Sequence, residues 1–107
     1  MELIIVNDCS TDNTLKIVNG YAKKDSRVKI ISNEINLKLP QSLNFGFAEA
    51  TGEYLTWTSD DNQYHKDALE RLSSILNCND KVDLVYSDYT VIEKDGIKTL
   101  VQYLLNN

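Results

Sequence analysis

Apolar residues along this chain fall into short blocks separated by polar turns, and the spacing inside each block predicts its structure. Glu2-Leu3-Ile4-Ile5-Val6 ends in a continuous apolar run, the pattern of a strand covered on both faces in a parallel sheet. A polar turn follows, Asn7 to Thr14, and then Leu15, Val18, Tyr21 and Ala22 recur at helical spacing. Arg27 to Ser32 reads as the next strand, and Asn33 to Lys38 as a loop. A second helix opens at Leu39-Pro40, where the missing N–H of proline does no harm. Its expected apolar stripe is Leu39, Leu43, Phe47 and Ala50, and Gly52 is the expected left-handed cap at its end.

Tyr54 to Thr58, rich in aromatic and β-branched residues, predicts a short buried strand that stops at two adjacent carboxylates, Asp60 and Asp61. Ala68, Leu69, Leu72, Ile75 and Leu76 mark a third helix. Lys81 to Ser87 and Tyr89 to Ile92 are strand-like, and Glu93 to Gly96 is a hairpin turn signal. Ile97 to Leu105 fits either a returning strand or a short helix. Strands alternating with helices predict one α/β domain over residues 1–107, with a mostly parallel sheet and flanking helices.

Composition narrows the function. The 107 residues, 42% of them hydrophobic, are enough for one core. A net charge of −5 argues against a general nucleic-acid binder, which needs surplus Lys and Arg to neutralise phosphates. No apolar run approaches membrane-spanning length. Two cysteines, Cys9 and Cys78, lack metal-ligand spacing and make no disulfide framework, so a reduced, cytoplasmic setting is expected. With one histidine, a zinc site of the common kind is nearly excluded, and any metal should be ligated by oxygen.

The candidate chemistry lies in two acidic turns, one holding Asp8 and the other Asp60 and Asp61. In an open α/β sheet, turns at the carboxyl ends of strands are where ligands bind. Paired acids there can take a hard divalent cation or sugar hydroxyls, although Ser, Asp and Asn also simply make good turns and caps. Neither GxGxxG nor GxxxxGK[ST] occurs, so a bound nucleotide would need another grip on its phosphates. Several residues have a plainer reading. Tyr21, Tyr54, Tyr86 and Trp57 are expected in the core or its rim, His65 at the surface, Cys9 as a small buried thiol, and Asp12 with Thr14 as a helix cap.

Three segments together resemble the family 2 glycosyltransferases, which have the Rossmann-like GT-A fold. The first is Glu2 to Thr14, a strand ending in an acid and then Ser10-x-Asp12-x-Thr14. The second runs from Asn36 through Leu43-Asn44-x-Gly46 to Ala50-x-Gly52-Glu53-Tyr54. The third is Trp57-Thr58-Ser59-Asp60-Asp61-Asn62, standing where the family has its DxD-type motif. The resemblance implies that Asp8 accepts from the nucleobase, most often uracil, that Asp60 faces the ribose hydroxyls, and that Asp61 ligates Mg²⁺ or Mn²⁺ on the donor diphosphate. It further implies a nucleotide-sugar donor, a sugar or glycan acceptor, and inverting transfer.

The sequence departs from the family pattern at Ser59, where many members have an acid, at Lys38, usually glycine, and at Asn7, often an acid. The family's preceding strand and its acceptor half with the catalytic base have no counterpart in these 107 residues. The expectation is therefore a donor-site fragment with no catalytic residue of its own, and with an open sheet edge that invites a homo-oligomer. Two alternatives stand beside it: a fragment that only binds nucleotide or assembles, and a magnesium-binding receiver-type module. The second lacks the lysine that class needs after a later strand, since Lys94 falls in the hairpin turn.

Overall fold

The computed structural model describes residues 1–92 and 98–101. The fold is α/β, with a small parallel sheet and flanking helices, and the chain forms two compact units, Met1–Asp61 and the residues from Asn62 onward.

The first unit is built as β1 (Leu3–Asn7), α1 (Thr14–Lys24), β2 (Val28–Ser32) and α2 (Lys38–Glu49). β1 and β2 pair in parallel, Leu3 opposite Val28 and Asn7 opposite Ser32. The ladder extends at both ends, from Leu3 N–H to Arg27 O and from Asn33 N–H to Asn7 O, each 2.9 Å. α1 turns Leu15, Val18 and Ala22 inward as its spacing predicts, while Tyr21 on the same stripe stays 62% exposed. Lys23 and Lys24 occupy its last turn, where the helix dipole favours cations.

α2 begins with Pro40 in its first turn, as expected, but its inward face is rotated from the predicted stripe. Ser42, Leu43 and Gly46 face the strand, whereas Leu39 and Phe47 are exposed. Gly46 explains the choice. A Cβ there would sit 3.2 Å from a Val6 methyl carbon, so the helix reaches β1 at its one residue without a side chain. The helix also ends differently. Ala50 is extended (φ −71°, ψ 137°) and Gly52 is not left-handed. A long-range contact replaces the expected cap: the Glu2 carboxylate accepts the N–H groups of Thr51 and Gly52 and the Thr51 hydroxyl. Lys29 on β2 completes the cluster with a 3.0 Å ion pair to Glu2.

At the other end of β1, Asp8 meets the start of α2 through the N–H groups of Leu37 and Lys38. The helix therefore runs back along its strand, held by a carboxylate at each end. The lengths agree: six residues of extended chain from Glu2 to Asp8 span roughly 20 Å, and the 12 residues of α2 span roughly 18 Å.

The second unit contains α3 (Ala68–Cys78), β3 (Tyr89–Ile92) and β4 (Lys98–Val101). β3 and β4 are antiparallel, Tyr89 opposite Val101, so the segment after the hairpin signal returns as a strand. The predicted turn itself, Glu93 to Gly96, lies outside the described residues, as do residues 102–107. α3 keeps its predicted extent, with Ala68, Leu72 and Leu76 half-buried.

Two predicted strands are not strands of either sheet. Tyr54–Thr58 and Lys81–Ser87 have strand composition, but composition alone does not create a ladder partner. Tyr54, Leu55 and Trp57 are 39%, 56% and 49% exposed, contrary to the buried strand expected there. Among the described residues no apolar side chain is fully buried. A two-stranded sheet gives each helix too narrow a surface to cover. No helix among them is long and apolar enough to cross a membrane.

Candidate functional site

The best-shielded residues of the described chain are polar: Asn7, Ser42 and Asn33, at 6%, 8% and 9% exposure. They gather at the carboxyl ends of β1 and β2, where the parallel ladder opens into two loops. Buried polar groups are costly unless bonded, and these are. Asn7 Oδ1 accepts the Ser10 N–H at 3.3 Å. The Asn33 amide donates to Asp8 Oδ1 at 3.0 Å and to Ser42 Oγ at 3.1 Å.

Asp8 is the centre of this group. Its Oδ1 accepts from Leu37 N–H at 2.7 Å as well as from Asn33, and its Oδ2 accepts from Lys38 N–H at 2.9 Å. The Leu37 N–H foremost, and then the Asn33 amide, hold the carboxyl below the usual aspartate range, with Lys38 N–H and the Ser42 hydroxyl adding to them. An anion here also faces the amino end of α2, whose dipole favours it.

Two residues beside this carboxylate have left-handed backbone without being glycine: Cys9 at φ 60° and Lys38 at φ 68°. Such conformations persist only where surrounding bonds hold them. Lys38 N–H is held by Asp8 and also by Asn36 Oδ1 at 3.1 Å. Cys9 is exposed rather than buried as expected, its thiol donating to Glu34 O at 3.5 Å. The N-cap of α1 is Asn13, which makes no side-chain cap bond; Asp12 just before it accepts the Thr14 hydroxyl and, at 2.9 Å, the Thr14 N–H, and those bonds lower its carboxyl below the usual range.

Asp60 and Asp61 lie exposed in the turn after Ser59, whose hydroxyl donates to Asp61 Oδ1. The bonds described for Asp8 come from the β2–α2 loop, and that for Asp61 from its own turn. All three carboxylates belong to the first compact unit. Among the described residues no three His, Cys, Asp or Glu side chains cluster as a metal cage. The donor set still suits a hard cation, because Mg²⁺ is commonly held by one or two carboxylates together with substrate phosphates and water. His65 is a surface residue, its Nδ1 accepting the Asp67 N–H at 3.3 Å just ahead of α3.

The residues that sequence reasoning passed over are Asn33 and Ser42. Asn33 had one signal, a polar amide directly after a strand on the ligand side of the sheet. Ser42 had none, since a serine beside an apolar stripe looks like any helix surface residue.

A parallel α/β layer with polar loops at the strand ends is the architecture of a ligand-binding α/β domain. Residues 1–104 match the family described as glycosyl transferase family 2. The chain belongs to that family. It is 35% identical over 92 residues to an uncharacterized glycosyltransferase of Haemophilus influenzae, covering 86% of this chain and 28% of that protein. A second uncharacterized glycosyltransferase of the same organism is 30% identical over 96 residues, covering 90% and 38%. Glycosyltransferase GlyG of Streptococcus pneumoniae is 30% identical over 96 residues, covering 90% and 32%. The chain thus spans roughly a third of the length of the curated relatives it matches. No solved structure matches it significantly.

Proposed function

We propose that this chain is the donor-binding part of a glycosyltransferase that takes a sugar from a nucleotide diphosphate, UDP-linked, and passes it to a sugar or glycan acceptor with inversion. The observation that carries the reading is Asp8: an ionised carboxylate at the carboxyl end of a parallel strand, fixed by three N–H donors. A carboxylate offers about four acceptor directions. Three are taken, and the Ser42 hydroxyl, being a rotor, can yield the fourth to the imide N–H of uracil. Asp60 takes the ribose hydroxyls, as an exposed carboxylate can. Asp61, with Asp60 beside it, would hold Mg²⁺ or Mn²⁺, which when bound would supply positive charge against that growing on the leaving nucleoside diphosphate.

The test is thermal shift with UDP and Mn²⁺. Ligand at a hundredfold excess over Kd stabilises by about 2.7 kcal/mol, a readable rise in Tm. The rise should vanish in Asp8→Ala and Asp61→Ala. A wild-type chain indifferent to UDP overturns the reading.

One observation favours assembly as an accompanying property. Among the described residues each strand of the parallel pair is flanked by a strand on one side only. Free ladder edges pair readily with another chain, and we infer a homo-oligomer formed along them.

A further inference from the structure

We propose that Asn33 is a positioning residue for nucleotide recognition, its shielded amide locking the Asp8 carboxylate so that a single acceptor direction is left for the base. This rests on the donor-site reading above. Three observations carry it.

First, Asn33 is at 9% exposure in a unit whose hydrocarbon is nowhere fully buried among the described residues. A chain that shields an amide in preference to its isoleucines and leucines is using that amide. Second, both amide hydrogens are committed: one bond reaches Asp8 Oδ1 at 3.0 Å and the other reaches Ser42 Oγ at 3.1 Å. Asn33 is also pinned by its backbone, through the 2.9 Å bond to Asn7 O that extends the β1–β2 ladder. The amide thus moves with the sheet and not with the loop. Third, the bonds to Asp8 are asymmetric. Oδ1 has two donors and Oδ2 one, so the carboxylate cannot swing about its χ angles without losing bonds from two separate directions.

Asn33 is therefore the only side chain among the three N–H donors to Asp8, the other two being backbone N–H groups of Leu37 and Lys38. Replacing it leaves those two backbone bonds in place and removes the amide's bonds to Asp8 and to Ser42 of α2. The amide also favours the charged form of Asp8. The other titratable groups carried by the two loops that meet here are Cys9, Asp12, Glu34 and Lys38, and Lys38 meets Asp8 through its backbone N–H.

The experiment compares UDP affinity of the wild-type 107-residue chain with that of Asn33→Ala and Asn33→Asp, between pH 7 and pH 3.5. The variant-to-wild-type ratio at each pH cancels the titration of the nucleotide itself. Loss of a hydrogen bond to a charged group weakens binding at neutral pH roughly tenfold. The midpoint of the acid loss of affinity moves to higher pH in Asn33→Ala. It moves further in Asn33→Asp, which keeps the shape of the side chain but puts a second carboxylate against Asp8. Circular dichroism checks that each variant is folded, and the isosteric variant carries the test if the alanine does not fold. Affinity unchanged in both variants overturns the proposal and leaves the donor site standing. Weaker binding with an unmoved midpoint also overturns it, since it makes Asn33 a structural residue only. Failure of the wild type to bind UDP removes this proposal and the donor-site reading together.

Discussion

The Glu2 carboxyl is lowered from its ordinary 4.5 to about 2, first by the Thr51 N–H and then by Lys29 and the Thr51 hydroxyl. A depressed folded-state pKa means stability that is fully present above the unfolded value and lost as pH falls through the folded one. The contribution of Glu2 is thus intact above pH 4.5 and disappears towards pH 2. Tm followed by circular dichroism should fall across that window in the wild type. In Glu2→Gln the Tm at neutral pH should be lower and the fall shallower. Asp25 is also lowered to about 2, chiefly by the Arg27 side chain, but that pair is two residues apart and well exposed, so Asp25→Asn should change Tm little. Lys38 presents the opposite case. Its φ of 68° costs about 1–2 kcal/mol for a residue with a Cβ, against about 0.5–1 kcal/mol of extra chain entropy for glycine. Lys38→Gly should raise stability by up to about 1.5 kcal/mol, read by urea unfolding.

Among the elements, α2 carries the lesson about what a sequence reveals. That a helix lies between Lys38 and Glu49 was legible from apolar spacing and from Pro40, because those are properties of neighbouring residues. Which side of it faces β1 was not, because Gly46 against Val6 is a contact between residues forty positions apart. Gly46→Val drives a branched side chain into that gap, and should lower stability by about 1–3 kcal/mol in the same unfolding assay. The strands divide in the same way. β1 and β2 were legible from their apolar runs and have each other as partners, while Tyr54–Thr58 had the composition and is a strand of neither sheet. At the site, Asp8 stood out as an acid directly after a strand. Asn33 and Ser42 did not, because their role is defined by a carboxylate twenty-five and more residues away.

For the whole molecule, the relevant quantity is apolar surface left in water. Ile35, Leu55 and Trp57 are 66%, 56% and 49% exposed, and among the described residues each strand of the parallel pair has a neighbouring strand on one side only. Light scattering should give a mass that rises with concentration above that of one chain, and a constant monomer mass at high concentration would refute the homo-oligomer. A last consequence comes from the two carboxylates that bracket β1. Strand and helix act as matched rulers, read off against each other at both ends, so α2 has only one position along its strand. Adding a single residue to the middle of α2 would turn everything beyond it by about 100° and push it about 1.5 Å along the axis. One of the two marks would then be missed, so this helix cannot change its length and keep both.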